Sequence, residues 1–300
     1  MTIVTNILKQ MPAVRQPQGK FLIMLFSTIL ALRGRVTGRN LRRYCAYSER
    51  TIARQFRASF DWPEFHHRVL TAALEPRSEL ISVQDASFIP KSGKRTFGLG
   101  YFFNGCANRA EPGLEISTLA VVDVTRRCAF TLAVAQTPPG KADRKKAKRE
   151  EETRMDFSQQ QLHDHRYRLP STIRYHCVDG AFAKQKYMDE VVALKLHPLT
   201  KLRHDANCVF LYTGPHPKRR GRRRKYDGKV NFQDLSRFEA LGTLEEKPHI
   251  YLYTALVWHV SLKRQLRIVV LVNRKEVTKP RDMVLASTDL TLDGHKLVEL

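Results

Sequence analysis

LISVQDASF at residues 80–88 and TIRYHCVDG at residues 172–180 carry the decision about the fold. Each is a short apolar run that meets an aspartate, and the second ends in a glycine turn. Runs of this length bounded by turn residues read as strands buried in a sheet. Between them, GLEISTLAVVDV (113–124) and CAFTLAVAQT (128–137) alternate as two further strands, close enough to pair antiparallel. A charged, helix-prone stretch spans 141–165, a helix is expected over 183–194, and DANCVFLYTG (205–214) reads as another strand. Two antiparallel neighbours feeding a strand-helix alternation predict an α/β fold, a mixed sheet with flanking helices.

Farther along, IYLYTALVWHVS (250–261) and QLRIVVLVNR (265–274) read as a hairpin or small sheet inserted into the main fold, to which MVLAS (283–287) returns. The β-rich insertion is placed at about residues 206–280. DGHKLVEL (293–300) opens with an Asp-Gly cap signal and begins an amphipathic helix.

Upstream of the sheet the texture is helical. The apolar run FLIMLFSTILAL (21–32) leads to a Gly-containing turn (33–40), a helix LRRYCA (41–46), a tight link (47–49), a helix RTIARQFR (50–57) that Ser48 can cap, and a further helix over 64–74. Leu41, Cys45, Ile52 and Phe56 are expected to face inward, with Arg42, Arg43, Arg50, Arg54 and Arg57 outward. That pattern fits a helix-turn-helix whose last helix enters a DNA groove, Arg50 and Arg54 foremost, and equally a plain helical bundle with a solvated basic face. The division is a helical region over 1–75 and a second domain over 76–300.

Composition narrows the partners. Lys and Arg number 52 against 29 Asp and Glu, a formal charge of +23, which points to a polyanion. The one long apolar run is too short to cross a bilayer core of roughly 30 Å and lies too far in for a signal peptide, so no membrane association is expected. Cys45, Cys106, Cys128, Cys177 and Cys208 are scattered without ligand spacing, which fits reduced thiols in a cytoplasmic protein. His163 and His165 around Asp164 read as surface histidines. The seven basic residues Lys218, Arg219, Arg220, Arg222, Arg223, Arg224 and Lys225 sit in a Pro- and Gly-rich loop that cannot pack, a solvated run by default and a phosphate contact where DNA passes.

Chemistry rests on Asp85 and Asp179. Carboxylates at the ends of adjacent strands can share Mg²⁺, which favours oxygen ligands. Two such ions about 3.5–4 Å apart activate a water or hydroxyl and stabilise the leaving oxygen of a phosphodiester. Either aspartate alone is ordinary turn chemistry. Asp123 reads as a hairpin residue, Lys91 and Lys94 as loop lysines able to touch a phosphate, Arg203 and Asp205 as a mutual pair, and Tyr212 and Trp258 as strand aromatics that could stack on a base.

The blocks DASFIPKSGKRTFGLGYFFNG (85–105), RAEPGLEISTLAVVDV (109–124), CVDGAF (177–182), KLRHDANCVFLYTG (201–214), KYDGKV (225–230) and VLASTDL (284–290), in that order, resemble the DDE-type transposases of bacterial insertion sequences, in the subgroup with a β-rich insertion. The resemblance implies an RNase H-like catalytic core in which two Asp and one Glu bind Mg²⁺ or Mn²⁺, two ions in a complete site. By position Asp85 matches the first Asp and Asp179 the second. It further implies binding to element ends and target DNA as a homodimer, in the cytoplasm of a bacterium at the nucleoid. The helix that carries Tyr, Arg, the catalytic Glu and Lys in such enzymes is expected to begin near Gly294 and to be cut short at Leu300, with Glu299 too early to serve. A transposase of impaired activity and a non-catalytic DNA-binding remnant or inhibitor therefore both remain open. An RNA-binding basic protein would account for the charge but not for the block order.

Overall fold

The computed structural model describes residues 2–93, 95–139, 153–215, 223–275 and 283–300. It divides into two compact units, Met1–Arg77 and Ser78–Leu300. Among the described residues no helix is long and apolar enough to cross a membrane.

The first unit holds five helices: α1 (Thr2–Lys9), α2 (Gln16–Ala31), α3 (Gly38–Arg42), α4 (Glu49–Phe56) and α5 (Trp62–Ala73). The apolar run makes most of α2, started by Pro17, whose missing N–H costs nothing in a first turn. Ser48 caps α4 by accepting from the Thr51 N–H, and Asp61 caps α5 by accepting from the Glu64 N–H. Ile7, Leu8, Phe21, Leu25, Leu41, Ile52 and Phe65 share one core, and each buried side chain contributes about 1.5–3 kcal/mol. Arg42, Arg43, Arg50, Arg54 and Arg57 are exposed as expected. Phe56 is not inward: it is 56% exposed. As the last residue of α4 it reaches past the core, where it meets the Phe21 ring edge-on.

The second unit is built on one sheet. Its elements are β1 (Leu80–Pro90), β2 (Gly100–Asn104), β3 (Arg109–Asp123), β4 (Cys128–Gln136), α6 (Arg154–His165), β5 (Tyr175–Val178), α7 (Gln185–Ala193), β6 (His197–Leu202), β7 (Cys208–Leu211), β8 (Tyr226–Lys229), β9 (Glu239–Leu244), β10 (Lys247–His259), β11 (Arg264–Asn273), β12 (Met283–Ser287) and α8 (Gly294–Glu299). The strand order is β2-β3-β1-β5-β6-β12-β11-β10-β7-β8, with β4 also on β3 and β9 also on β10. β1, β5 and β6 are parallel neighbours, and β3 and β4 run antiparallel beyond β1. This is the mixed sheet with flanking helices that the strand pattern predicts.

The β-rich stretch expected as an insertion is continuous with that sheet. β10 and β11 form the expected hairpin, and β12 lies between β11 and β6. Its core of Cys208, Phe210, Val257, Ile268, Val270 and Val284 also holds Met188 of α7. β2, β6, β8 and β9 are absent from the sequence reading.

Candidate active site at adjacent strand ends

β1 pairs with two neighbours of unequal length. Its ladder with β3 runs from Leu80↔Asp123 to Pro90↔Gly113, whereas its ladder with β5 ends at Gln84↔Val178. Asp85 is therefore inside β1, not after it as the sequence suggested, yet it is the first residue past the β5 ladder. One more step of that register sets Asp85 against Asp179, on strands about 4.8 Å apart. Residues opposed in a ladder share a face, so both carboxylates emerge on the same side, and both are exposed. The next strand continues the row, since Val178↔Thr200 in the β5–β6 ladder brings Lys201 beside Asp179.

Local chemistry fixes the Asp179 end. Its Oδ1 accepts from the Gly180 N–H at 2.6 Å, and its carbonyl accepts from the Thr200 hydroxyl at 3.3 Å. A Cβ on Gly180 would lie 2.7 Å from the Lys201 carbonyl oxygen, so only glycine lets the chain turn this close to β6.

The opposite face of the same strands is dry. Side chains alternate along a strand, so Ser82, Gln84, Ser117 and His176 point away from the aspartates, toward α6 and α7. Gln84 Nε2 donates to Gln161 Oε1 at 2.9 Å and to the Ser158 carbonyl at 3.0 Å. Tyr187 Oη donates to Gln84 Oε1 at 2.7 Å and lies 2.9 Å from His176 Nε2, while Ser82 Oγ is 2.9 Å from His176 Nδ1. Ser117 Oγ donates to Gln161 Oε1 at 2.6 Å. Burial lowers the His176 pKa to about 3 and raises that of the Tyr187 phenol. A neutral imidazole carries one N–H. With that proton on Nε2, Ser82 donates to His176, His176 to Tyr187 and Tyr187 to Gln84, and each donor has an acceptor.

Two oxygen-bearing groups on neighbouring strands suit a hard divalent cation that keeps waters in its remaining positions. Among the described residues no group of three His, Cys, Asp or Glu gathers to hold a metal. Glu299 is not the missing partner. Its carboxylate takes Lys296 Nζ at 2.9 Å, and Lys296 also bonds Glu79, the residue before β1. Asp85 lies six residue steps beyond Glu79, roughly 20 Å along an extended chain.

The other sequence candidates scatter. Lys91 and Arg223 are exposed, as are Lys225 and, in the first unit, Arg50 and Arg54. Arg224 is engaged: it bonds Asp227 and the Tyr226 carbonyl and lies over the Tyr212 ring at 4.8 Å. Lys94, Lys218, Arg219, Arg220 and Arg222 lie outside the described residues. Arg203 and Asp205 form the expected pair, at 2.9 and 3.1 Å. Asp123 is a hairpin residue, accepting from Ser78 Oγ and the Arg126 N–H. Trp258 is half-buried beside Tyr226, and His163 is exposed. Sequence reading missed Lys201, because β6 holds Pro198 and was not seen as a strand. It also missed the network, whose one signal is the polar residue at every second position of LISVQ.

A family model described as DDE superfamily endonuclease matches residues 22–250. No curated protein matches the chain.

Proposed function

This chain belongs to the DDE superfamily endonucleases, and from that premise we propose that it is an insertion-sequence transposase working on DNA at the Asp85–Asp179 pair. The observation that carries the reading is the register that aligns these two aspartates on one face of adjacent parallel strands. A divalent cation, Mg²⁺ or Mn²⁺, held by them would activate the attacking water or hydroxyl and stabilise the leaving oxygen of a phosphodiester. Asp179 is oriented by its own turn at Gly180, and Lys201 beside it offers a positive charge to a phosphate oxygen. The RNase H-like sheet serves to hold the two carboxylates rigidly. The reaction is hydrolysis at an element end, then attack of the freed 3′ hydroxyl on target DNA by a homodimer. Arg50 and Arg54 of α4, with Lys91, Lys94 and the basic run from Lys218 to Lys225, neutralise phosphates.

The test joins binding to cleavage. Affinity for duplex DNA should fall steeply with salt, log K dropping by about 0.9 per neutralised phosphate for each tenfold rise. Plasmid nicking in Mg²⁺ or Mn²⁺ should fall more than about 100-fold in Asp85→Asn and in Asp179→Asn, since a reacting phosphate shifted even slightly loses that much. Nicking undiminished in both variants overturns the site. Salt-sensitive binding with no cleavage by the unsubstituted chain would identify a DNA-binding remnant instead.

A further inference from the structure

Beyond Asp85 the sheet narrows: β3 stays paired with β1 as far as Gly113, and from Gly113 to Arg109 it continues as a two-stranded ribbon with β2. Registers place its residues on faces. Asp85 opposes Thr118, and on the same face of β3 come Ile116, Leu114, Pro112 and Ala110. Pro112 opposes Tyr101 and Ala110 opposes Phe103 in β2. Tyr101 and Phe103 therefore share the aspartate face, while Phe102 between them points the other way and is buried under Arg154, at 4.6 Å.

The two rings on the aspartate face are uncovered, Tyr101 65% and Phe103 55% exposed, and Phe97 in the turn before β2 is 91% exposed. The Phe97 loop is tied down without covering them: Gln136 Nε2 donates to the Phe97 carbonyl at 3.0 Å, and Gly98 turns at a φ of +70° against that side chain. Exposed cations lie close by in the chain, Lys91 after β1 and Arg95 in the following loop, and Lys91 lines the same groove as Pro112 and Ala110. This open groove of about 670 Å³ runs past Lys91, Ser92 and Pro112.

Two bare rings on one face of a β ribbon, with a third in the turn that leads into it, offer a stacking surface that accepts any base by its π face, and exposed cations suit the backbone between bases. Like charge around the edge opposes a second copy of this chain and favours a polyanion. We propose that Tyr101 and Phe103, with Phe97 in the turn before them, form a platform for unpaired bases of a DNA strand whose scissile phosphate lies at the Asp85–Asp179 pair. This rests on the reading of that pair as a DNA-cutting site. From Thr118 to Pro112 and Ala110 is six to eight residues, roughly 20–27 Å of strand, so the bases held are several nucleotides from the cut. Base-paired DNA hides its ring faces, so the platform selects ends that are frayed or tailed.

The experiment compares a blunt duplex with the same duplex carrying an oligothymidine tail, by fluorescence anisotropy. The full chain should bind the tailed form more tightly. Tyr101→Ser with Phe103→Ser should remove that preference, a loss of roughly 5- to 100-fold, and leave blunt-duplex affinity and the thermal midpoint unchanged. Tyr101→Phe should keep the preference. In the unsubstituted protein, near-ultraviolet crosslinking from a tail of 5-iodouracil should map to Tyr101, Phe103 or Phe97, a readout independent of whether the double variant folds. Crosslinks confined elsewhere, or a preference unchanged in the double variant, overturn the platform while salt-sensitive duplex binding keeps the proposed function standing. A double variant that turns a dimer into a monomer with its tail preference intact assigns the face to a second copy and overturns the platform. Binding to neither DNA by the unsubstituted chain overturns both readings.

Discussion

Gln84 and Asp85 are consecutive in β1 and face opposite sides of one sheet. Gln84 is fully buried, and its amide has a partner on both atoms, from α6 and from α7. Asp85 is exposed, as is Asp179 on the same face. The contrast teaches how a sheet can present two like charges in register. A dry, hydrogen-bonded back fixes the strands, so the front needs no bonds of its own between the carboxylates. Polar groups inside a low-dielectric interior specify position strongly because each is costly to leave unpaired.

The largest expected effect comes from acid, which charges the buried imidazole at the back. His176 has its pKa lowered to about 3 by burial, and burial lowers that of His259 as well. Between roughly pH 6.5, the free imidazole value, and the folded value, the unfolded chain binds more protons than the folded one. Stability is therefore full above about pH 6.5 and falls as pH drops, by about 1.4 kcal/mol per unit for His176. Asp156, lowered to about 2 chiefly by its bond from Lys186, acts in the same direction only below the ordinary carboxylate range, near 3.8. Urea unfolding at pH 7, 5.5 and 4.5 measures this, and a flat profile would mean that His176 is not buried and neutral.

Gly180→Ala strikes the join between the two faces. The added methyl meets the Lys201 carbonyl, which is backbone and cannot swing aside. Asp179 is expected to shift, with cleavage falling about 100-fold, while the midpoint of urea unfolding moves little. Equal loss of folding and cleavage would show that glycine there serves the fold alone.

Tyr187→Phe is the smallest change, one oxygen. It leaves Gln84 Oε1 and His176 Nε2 without their partner and should cost about 1–3 kcal/mol of stability. Cleavage per folded molecule should drop as well, because the strands carrying the aspartates lose a side-chain link. Wild-type stability in this variant would separate the back of the sheet from the front.

The two faces were not equally legible. Apolar runs that meet an aspartate gave β1, β5, Asp85 and Asp179, because a buried strand carries its hydrophobic pattern in the sequence. Pairing did not: nothing in LISVQ or TIRYHCV states that Gln84 lies against Val178, since parallel register is settled by helices and crossovers elsewhere. His176 and Tyr187 look like scattered polar residues until α7 folds back over the sheet. HPLTKL hid β6 behind Pro198, and GYFFN is too short and too uniformly apolar to show the alternation of a strand, which concealed the exposed rings of β2. Phe56 misled because helical spacing assigns a face without saying where the core stops.

The position of β12 between β6 and β11 has a consequence for how the chain is made. On a ribosome, β1, β3, β5 and β6 emerge early and can pair, yet the far edge of β6 stays bare until β12 appears. From Leu202 to Met283 is 81 residues, about 4–16 s of synthesis at ~5–20 residues per second. For that interval a half-built sheet offers a row of open N–H and C=O groups to any other extended chain. Crowded translation of neighbouring copies is thus the moment of greatest danger for this protein, and slowing the ribosome between β6 and β12 would prolong it.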